Sequence, residues 1–133
     1  MINGRCECGR IRYEVDSEIK EFSHCHCSQC RRLHGAAYAT FAAVARDKFR
    51  YVSGEADLNV YASSSAINRF FCAECGSNIL ADATSETDVL YLCMGTVDGN
   101  PPHPRGFHAF VGSKAAWHEI TDDLAKYDGE SSD

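Results

Sequence analysis

The sequence has no apolar run approaching the ~18 residues of a membrane span and no apolar stretch after Met1-Ile2-Asn3-Gly4-Arg5 that reads as a signal peptide. It has no internal repeat, no interdomain linker and no excess of basic charge. With 13 Lys and Arg against 19 Asp and Glu, the net charge is −6, which argues against a general nucleic-acid binder and against non-specific attraction to anionic membranes. A small anionic substrate is still admissible, because a local pair of arginines can hold one. The eight cysteines in 133 residues fall short of the density of a disulfide scaffold. With no leader, the expected compartment is the cytoplasm, where clustered thiols bind metal or catalyse more often than they form bridges.

What the chain does have is short strands separated by turns. Ile11–Val15 alternates apolar and polar residues, and Ala36–Val44, Phe49–Gly54, Leu58–Tyr61, Ile67–Phe71, Asn78–Ala81, Asp88–Met94 and Phe107–Val111 also read as strands. Ala62–Ala66 is a serine-rich loop tip, Gly99–Pro104 a rigid loop, and Arg31–Gly35 a short helical turn closed by its glycine. The length suits one domain, drawn as residues 1–127, with 128–133 as a short, acidic, frayed tail. The fold class is all-β. Trp117 reads as a core anchor.

Seven of the cysteines fall into three clusters: Cys6/Cys8, Cys25/Cys27/Cys30 and Cys72/Cys75. Cys6-x-Cys8 with Cys72-x-x-Cys75-Gly76 makes a closed four-sulfur zinc site that ties the N-terminus to mid-chain. The remaining triplet is three ligands with no evident fourth, the pattern of a catalytic zinc with an open position. The competing readings are a redox pair at Cys72/Cys75, and a structural triplet completed by His24, His26, His34, His103 or His108. Cys93, within an apolar strand pattern, reads as a buried small hydrophobe.

A zinc held by three thiolates is formally anionic and poorly suited to activating water. An external thiol suits it better, since coordination deprotonates a thiol and readies it for attack on an electrophile. His26 and His34 are the nearby groups able to carry a proton. Arg31 and Arg32, directly after the triplet, are candidates to hold substrate carboxylates bidentately. Asp98 and His108 are further candidates for the same pocket.

Gly4-x-Cys6-x-Cys8-Gly9, Cys25-His26-Cys27-x-x-Cys30-Arg31 and Phe71-Cys72-x-x-Cys75-Gly76 together resemble the signatures of the glutathione-dependent formaldehyde-activating enzyme family, which also includes CENP-V-like proteins. Gly95-Thr96-Val97-Asp98, Pro104, His108, Lys114–Trp117 and Asp122-Asp123-Leu124 are similar to its later segments, so the resemblance covers nearly the whole chain. It implies an Mss4-like fold of several coiled antiparallel sheets around a structural zinc on Cys6, Cys8, Cys72 and Cys75. It also implies a catalytic zinc on Cys25, Cys27 and Cys30, a site that holds its ion less firmly than a four-ligand one and is expected to be partly empty. The implied activity is that of a carbon–sulfur lyase joining glutathione to formaldehyde, or to a similar small aldehyde, as S-(hydroxymethyl)glutathione. The alternatives are a lyase for another thiol adduct and a non-catalytic zinc-stabilised binding module. A sulfoxide reductase on a related fold would need Cys93 as a free nucleophile. The expected partners are small molecules, with no nucleic acid or membrane; the oligomeric state is not legible in the sequence.

Overall fold

The computed structural model describes residues 1–130. In chain order the elements are β1 (Ile2–Arg5), β2 (Arg12–Val15), β3 (Glu21–Cys25), α1 (Ser28–His34), β4 (Ala39–Ala45), β5 (Phe49–Ser53), β6 (Leu58–Ala62), β7 (Ile67–Cys72), β8 (Asn78–Ala83), β9 (Val89–Cys93), β10 (Phe107–Ala109) and β11 (Ala125–Lys126). They form a three-stranded sheet, β1-β2-β5, and an eight-stranded sheet in the order β11-β10-β3-β4-β9-β8-β7-β6. All pairings are antiparallel except those of β10, which runs parallel to both β3 and β11. The protein is all-β, and no helix among the described residues is long and apolar enough to cross a membrane.

The two-residue period of the strands sorts the large sheet into two faces. Ala42 and Val44 of β4, Leu80 of β8, and Leu90 and Leu92 of β9 pack against Ile2, Ile11, Tyr13 and Val15 of the small sheet and its turn. This is the main core, and each fully buried aliphatic or aromatic side chain in it contributes roughly 1.5–3 kcal/mol. The alternate residues, Ala39, Phe41, Ala81 and Cys93, form a second apolar cluster on the opposite face, with Cys30 seated on it and Ile67, Tyr91, Cys25 and Cys27 alongside. Cys93 is thus a buried residue of that cluster, as its strand pattern suggested, and burial pushes its thiol up to about 12.

The expected and observed strands differ at particular residues. The strand expected from Ala36 starts at Ala39, because Gly35 closes α1 in the left-handed conformation and the next residues only lead away from it. α1 itself begins at Ser28, earlier than the expected turn. The strand at Phe107 stops at Ala109, because Phe110 adopts a left-handed φ of 57°. β1, which the sequence did not signal as a strand, contains Gly4: a Cβ there would lie 2.2 Å from the Tyr13 ring, so glycine is what lets β1 pass over that side chain. Trp117 is not a core anchor. It is 75% exposed, and the residue buried from its segment is Ala115. The backbone N–H groups of Phe110 and Gly112 donate to Gly129 and Asp128, so the start of the expected frayed tail is tied down; residues 131–133 lie outside the described residues.

Candidate metal centres and the cleft

Two turns meet to form the first centre. The β1–β2 turn carries Cys6 and Cys8, and the end of β7 and the turn after it carry Cys72 and Cys75. The four sulfurs lie within 4.8 Å of one another, with Cys6–Cys8 at 3.6 Å and Cys8–Cys72 at 3.8 Å. Tetrahedral thiolates about 2.3 Å from a zinc ion stand about 3.8 Å apart, so the donor set fits that ion without rearrangement. Backbone geometry supports the sulfurs as anions: Ile11 N–H donates to Cys6 Sγ at 3.3 Å. Ser77, which sequence reasoning did not single out, joins the turns. Its hydroxyl accepts from Glu7 N–H at 2.9 Å and lies 3.3 Å from Cys75 Sγ. That hydroxyl is the first cause holding the Cys75 thiol down to about 5.

The second centre forms where β3 ends and α1 begins. Cys25 is the last residue of β3, Cys27 caps α1, and Cys30 lies in its first turn, so a six-residue segment turns three sulfurs inward. They lie within 4.8 Å of one another. Cys27 Sγ accepts the Cys30 backbone N–H at 3.3 Å, and the Cys27 thiol is pulled down to about 2, first by its hydrogen bond with Cys25. Among the described residues no histidine or carboxylate joins the group as a fourth ligand. This set also fits zinc, and with an open position.

The residue that sequence reasoning missed here is Arg69, on β7. It is 7% exposed, and two of its guanidinium nitrogens lie 3.8 Å from Cys30 Sγ. It also donates to Ser63 Oγ at 3.1 Å and Gln29 Oε1 at 3.0 Å. A buried guanidinium needs such partners, and its charge offsets that of the clustered thiolates. The sequence signal was an arginine within an apolar strand, Ile67-Asn68-Arg69-Phe70-Phe71, where a buried cation asks for a counter-charge.

Cys25, Cys27 and Cys30 open onto a cleft of about 550 Å³, walled by Glu21, Ser23, Phe41, Ile67, Arg69, Tyr91, Phe107 and Phe110 among others. Glu21, Ser23 and Cys25 alternate along one face of β3. Phe110 reaches the cleft from its left-handed backbone, a conformation that costs a non-glycine residue roughly 1–2 kcal/mol. Arg31 and Arg32 are not among the lining residues; the Arg31 Nε–H donates to the Ser113 carbonyl at 3.2 Å. Asp98, His26, His34 and His108 are also absent from the lining. His26 is fully buried beneath the cysteine loop, with its Nε2 2.8 Å from His108 Nδ1.

Sequence comparison agrees with this arrangement. The profile of the glutathione-dependent formaldehyde-activating enzyme family matches residues 1–113. The chain is 32% identical over 76 residues to an uncharacterised lyase of Schizosaccharomyces pombe, and 29% identical over 77 residues to a Penicillium rubens protein named as a candidate enzyme of this family. These matches cover 57% and 56% of the chain but 53% and 40% of those relatives, so the chain spans about half of their length. A crystal structure of a Rhodobacter sphaeroides protein superimposes with a TM-score of 0.64 at 25% identity, covering 75% of this chain and 91% of the other. With the two cysteine sets in place and the family profile matching residues 1–113 of the chain, the chain belongs to the glutathione-dependent formaldehyde-activating enzyme family.

Proposed function

We propose that the protein is a zinc-dependent carbon–sulfur lyase that joins a thiol, glutathione or one of similar length, to formaldehyde or a similar small aldehyde, and catalyses the reverse cleavage. One observation carries this reading: three sulfurs of a zinc-ligating set face a cleft instead of being closed off by a fourth protein ligand. Zinc bound by Cys25, Cys27 and Cys30 would supply acidification of a thiol entering the open position.

The protein's own residues supply the rest. Cys25, Cys27 and Cys30 fix where the thiol sulfur sits, and Arg69 limits the negative charge that builds up there. Phe41, Phe107 and Tyr91 give the cleft apolar walls that confine the aldehyde next to that sulfur. Confinement in attack geometry can contribute up to roughly 7–11 kcal/mol in intramolecular systems. In the forward direction the S–H proton leaves to solvent, the sulfur lone pair forms the S–C bond, and the carbonyl π pair moves to oxygen. That oxygen takes a proton from solvent in the cleft; neither His26 nor His34, the proton carriers suggested by the sequence, lines it. Arg31 and Arg32, outside the lining, would meet only a part of the substrate that projects beyond the cleft.

The test is the exchange rate between glutathione and S-(hydroxymethyl)glutathione at equilibrium with formaldehyde, followed by NMR on the zinc-loaded chain with Cys27→Ser as control. Only the excess over the fast uncatalysed exchange counts. Excess exchange that vanishes in the control supports the reading. Background exchange with two zinc ions bound per chain rejects this substrate pair.

A further inference from the structure

A cleft of about 550 Å³ has room for a peptide-sized thiol, so its overall volume cannot select a one-carbon aldehyde over a longer one. That selection falls to whatever stands next to the thiol sulfur, and one residue there breaks the backbone pattern. β10 runs parallel to β3, with Ala109 opposite Cys25 and His108 opposite His24. The two-residue period sends Phe107 and Ala109 to the cleft and His108 to the other face. A continuing strand would send Phe110 after His108, away from the cleft. Its left-handed φ of 57° turns it back, and Phe110 lines the cleft together with Ala109. Among the described residues it is the only non-glycine at positive φ, a conformation that persists only where its surroundings hold it.

The surroundings do hold it. Phe110 N–H donates to the Gly129 carbonyl at 2.6 Å, Val111 N–H to the Tyr127 carbonyl at 2.9 Å, and Ser113 N–H back to the Phe110 carbonyl at 3.0 Å. On one side of Phe110, His26 N–H donates to the Ala109 carbonyl at 2.9 Å. On the other, the Arg31 Nε–H reaches the Ser113 carbonyl at 3.2 Å. Both donors belong to the segment that carries Cys25, Cys27 and Cys30, so the backbone of Phe110 is tied to the three sulfurs from both directions.

We propose that Phe110 sets the size of the aldehyde: its ring stands beside the bound thiol sulfur and occupies the space that an alkyl group on the carbonyl carbon would need. Formaldehyde, which has only hydrogens there, is admitted. The inference rests on the lyase reading above. Ala109 beside it offers only a methyl group, so removing the Phe110 ring opens that wall.

The experiment uses the zinc-loaded full chain, with glutathione and either formaldehyde or propanal, and reads the NMR exchange in excess of background. Phe110→Gly removes the ring at a φ that glycine adopts freely; Phe110→Asn, which tolerates the same conformation, is the second variant should the first fail to fold. Urea midpoints and zinc content are checked for both. The parent is expected to exchange formaldehyde at least about tenfold faster than propanal, and the variant to raise the propanal-to-formaldehyde ratio by at least about tenfold, the lower end of what one methylene is worth in an apolar pocket. Equal excess rates for the two aldehydes in the parent overturn the inference without any variant and leave the lyase reading standing. A folded, two-zinc variant that keeps the parent's ratio overturns it, and so does one that loses exchange with both aldehydes, since the ring then serves turnover and not selection. Background exchange with both aldehydes in the parent removes the lyase reading, and this inference with it.

Discussion

His26 Nε2 lies 2.8 Å from His108 Nδ1, and His108 Nε2 lies 2.9 Å from an Asp122 carboxylate oxygen. The chain of contacts fixes the proton positions. Asp122 is held below the usual carboxylate range, first by its hydrogen bond with His108, so it accepts and His108 Nε2–H donates. With His108 in its neutral form, its Nδ1 is the acceptor for His26 Nε2–H. The lone pair left on His26 Nδ1 is buried without a partner. This relay ties β3, which delivers Cys25, to β10 and to the C-terminal segment, and His26 N–H adds a backbone bond to Ala109 at 2.9 Å.

A pH dependence follows. Protonating His26 would create a buried charge whose new Nδ1–H has no acceptor, and burial, then His108, pulls its pKa from 6.5 to about 4. The unfolded chain binds this proton near pH 6.5 and the folded chain does not. The stability that His26 contributes is therefore present above pH 6.5 and is lost as pH falls from 6.5 toward about 4. Urea midpoints of the zinc-loaded protein should decline across that window, and the His26 ring resonances should not titrate above about pH 5. A His26 midpoint near 6.5 rejects this account.

Removing metal should affect the two centres differently. Cys6, Cys8, Cys72 and Cys75 join the turn of the small sheet to a turn of the large one, so metal binding there is coupled to folding and is worth on the order of 10 kcal/mol. Cys25, Cys27 and Cys30 all lie within one six-residue segment that is otherwise held by β3 pairing and α1. Cys72→Ser should yield little folded protein. Cys27→Ser should remain folded and bind one zinc ion per chain where the parent binds two. Metal analysis and circular dichroism of both variants check this, and a folded, one-zinc Cys72→Ser would overturn it.

Much of this was legible in the sequence, for identifiable reasons. The cysteine spacings pair the knuckles because a two- or three-residue separation leaves few ways to direct sulfurs at one ion. β2 was readable because Tyr13 and Val15 alternate with Arg12 and Glu14 against one core. β3 was not, because Glu-Phe-Ser-His-Cys serves a cleft on one face and a histidine cluster on the other, and so has no apolar alternation. β1 was hidden by Asn3 and Gly4, poor strand formers kept by the approach of Tyr13. Trp117 misled because aromatic size signals burial only on average. Arg31 and Arg32 drew attention by adjacency along the chain, whereas strand pairing brings Arg69, 39 residues beyond Cys30, to its sulfur.

Arg69 offers the most direct test of how the open centre is built. Its guanidinium is the counter-charge nearest Cys30 Sγ, and it also stacks 5.9 Å above the Phe41 ring centroid. Groups that contact metal ligands in this way typically change metal affinity by about 10- to 100-fold when removed. Arg69→Gln should therefore weaken zinc binding at Cys25, Cys27 and Cys30 by that order and leave the Cys6/Cys8/Cys72/Cys75 centre unchanged. Arg69→Lys should recover part of the loss, because an ammonium restores the charge but not the fork that simultaneously reaches Gln29 and Ser63. Competition with a chromophoric chelator resolves the two affinities. If Arg69→Gln binds both ions as tightly as the parent, the guanidinium serves packing of β7 against Phe41 and not the charge of the thiolates.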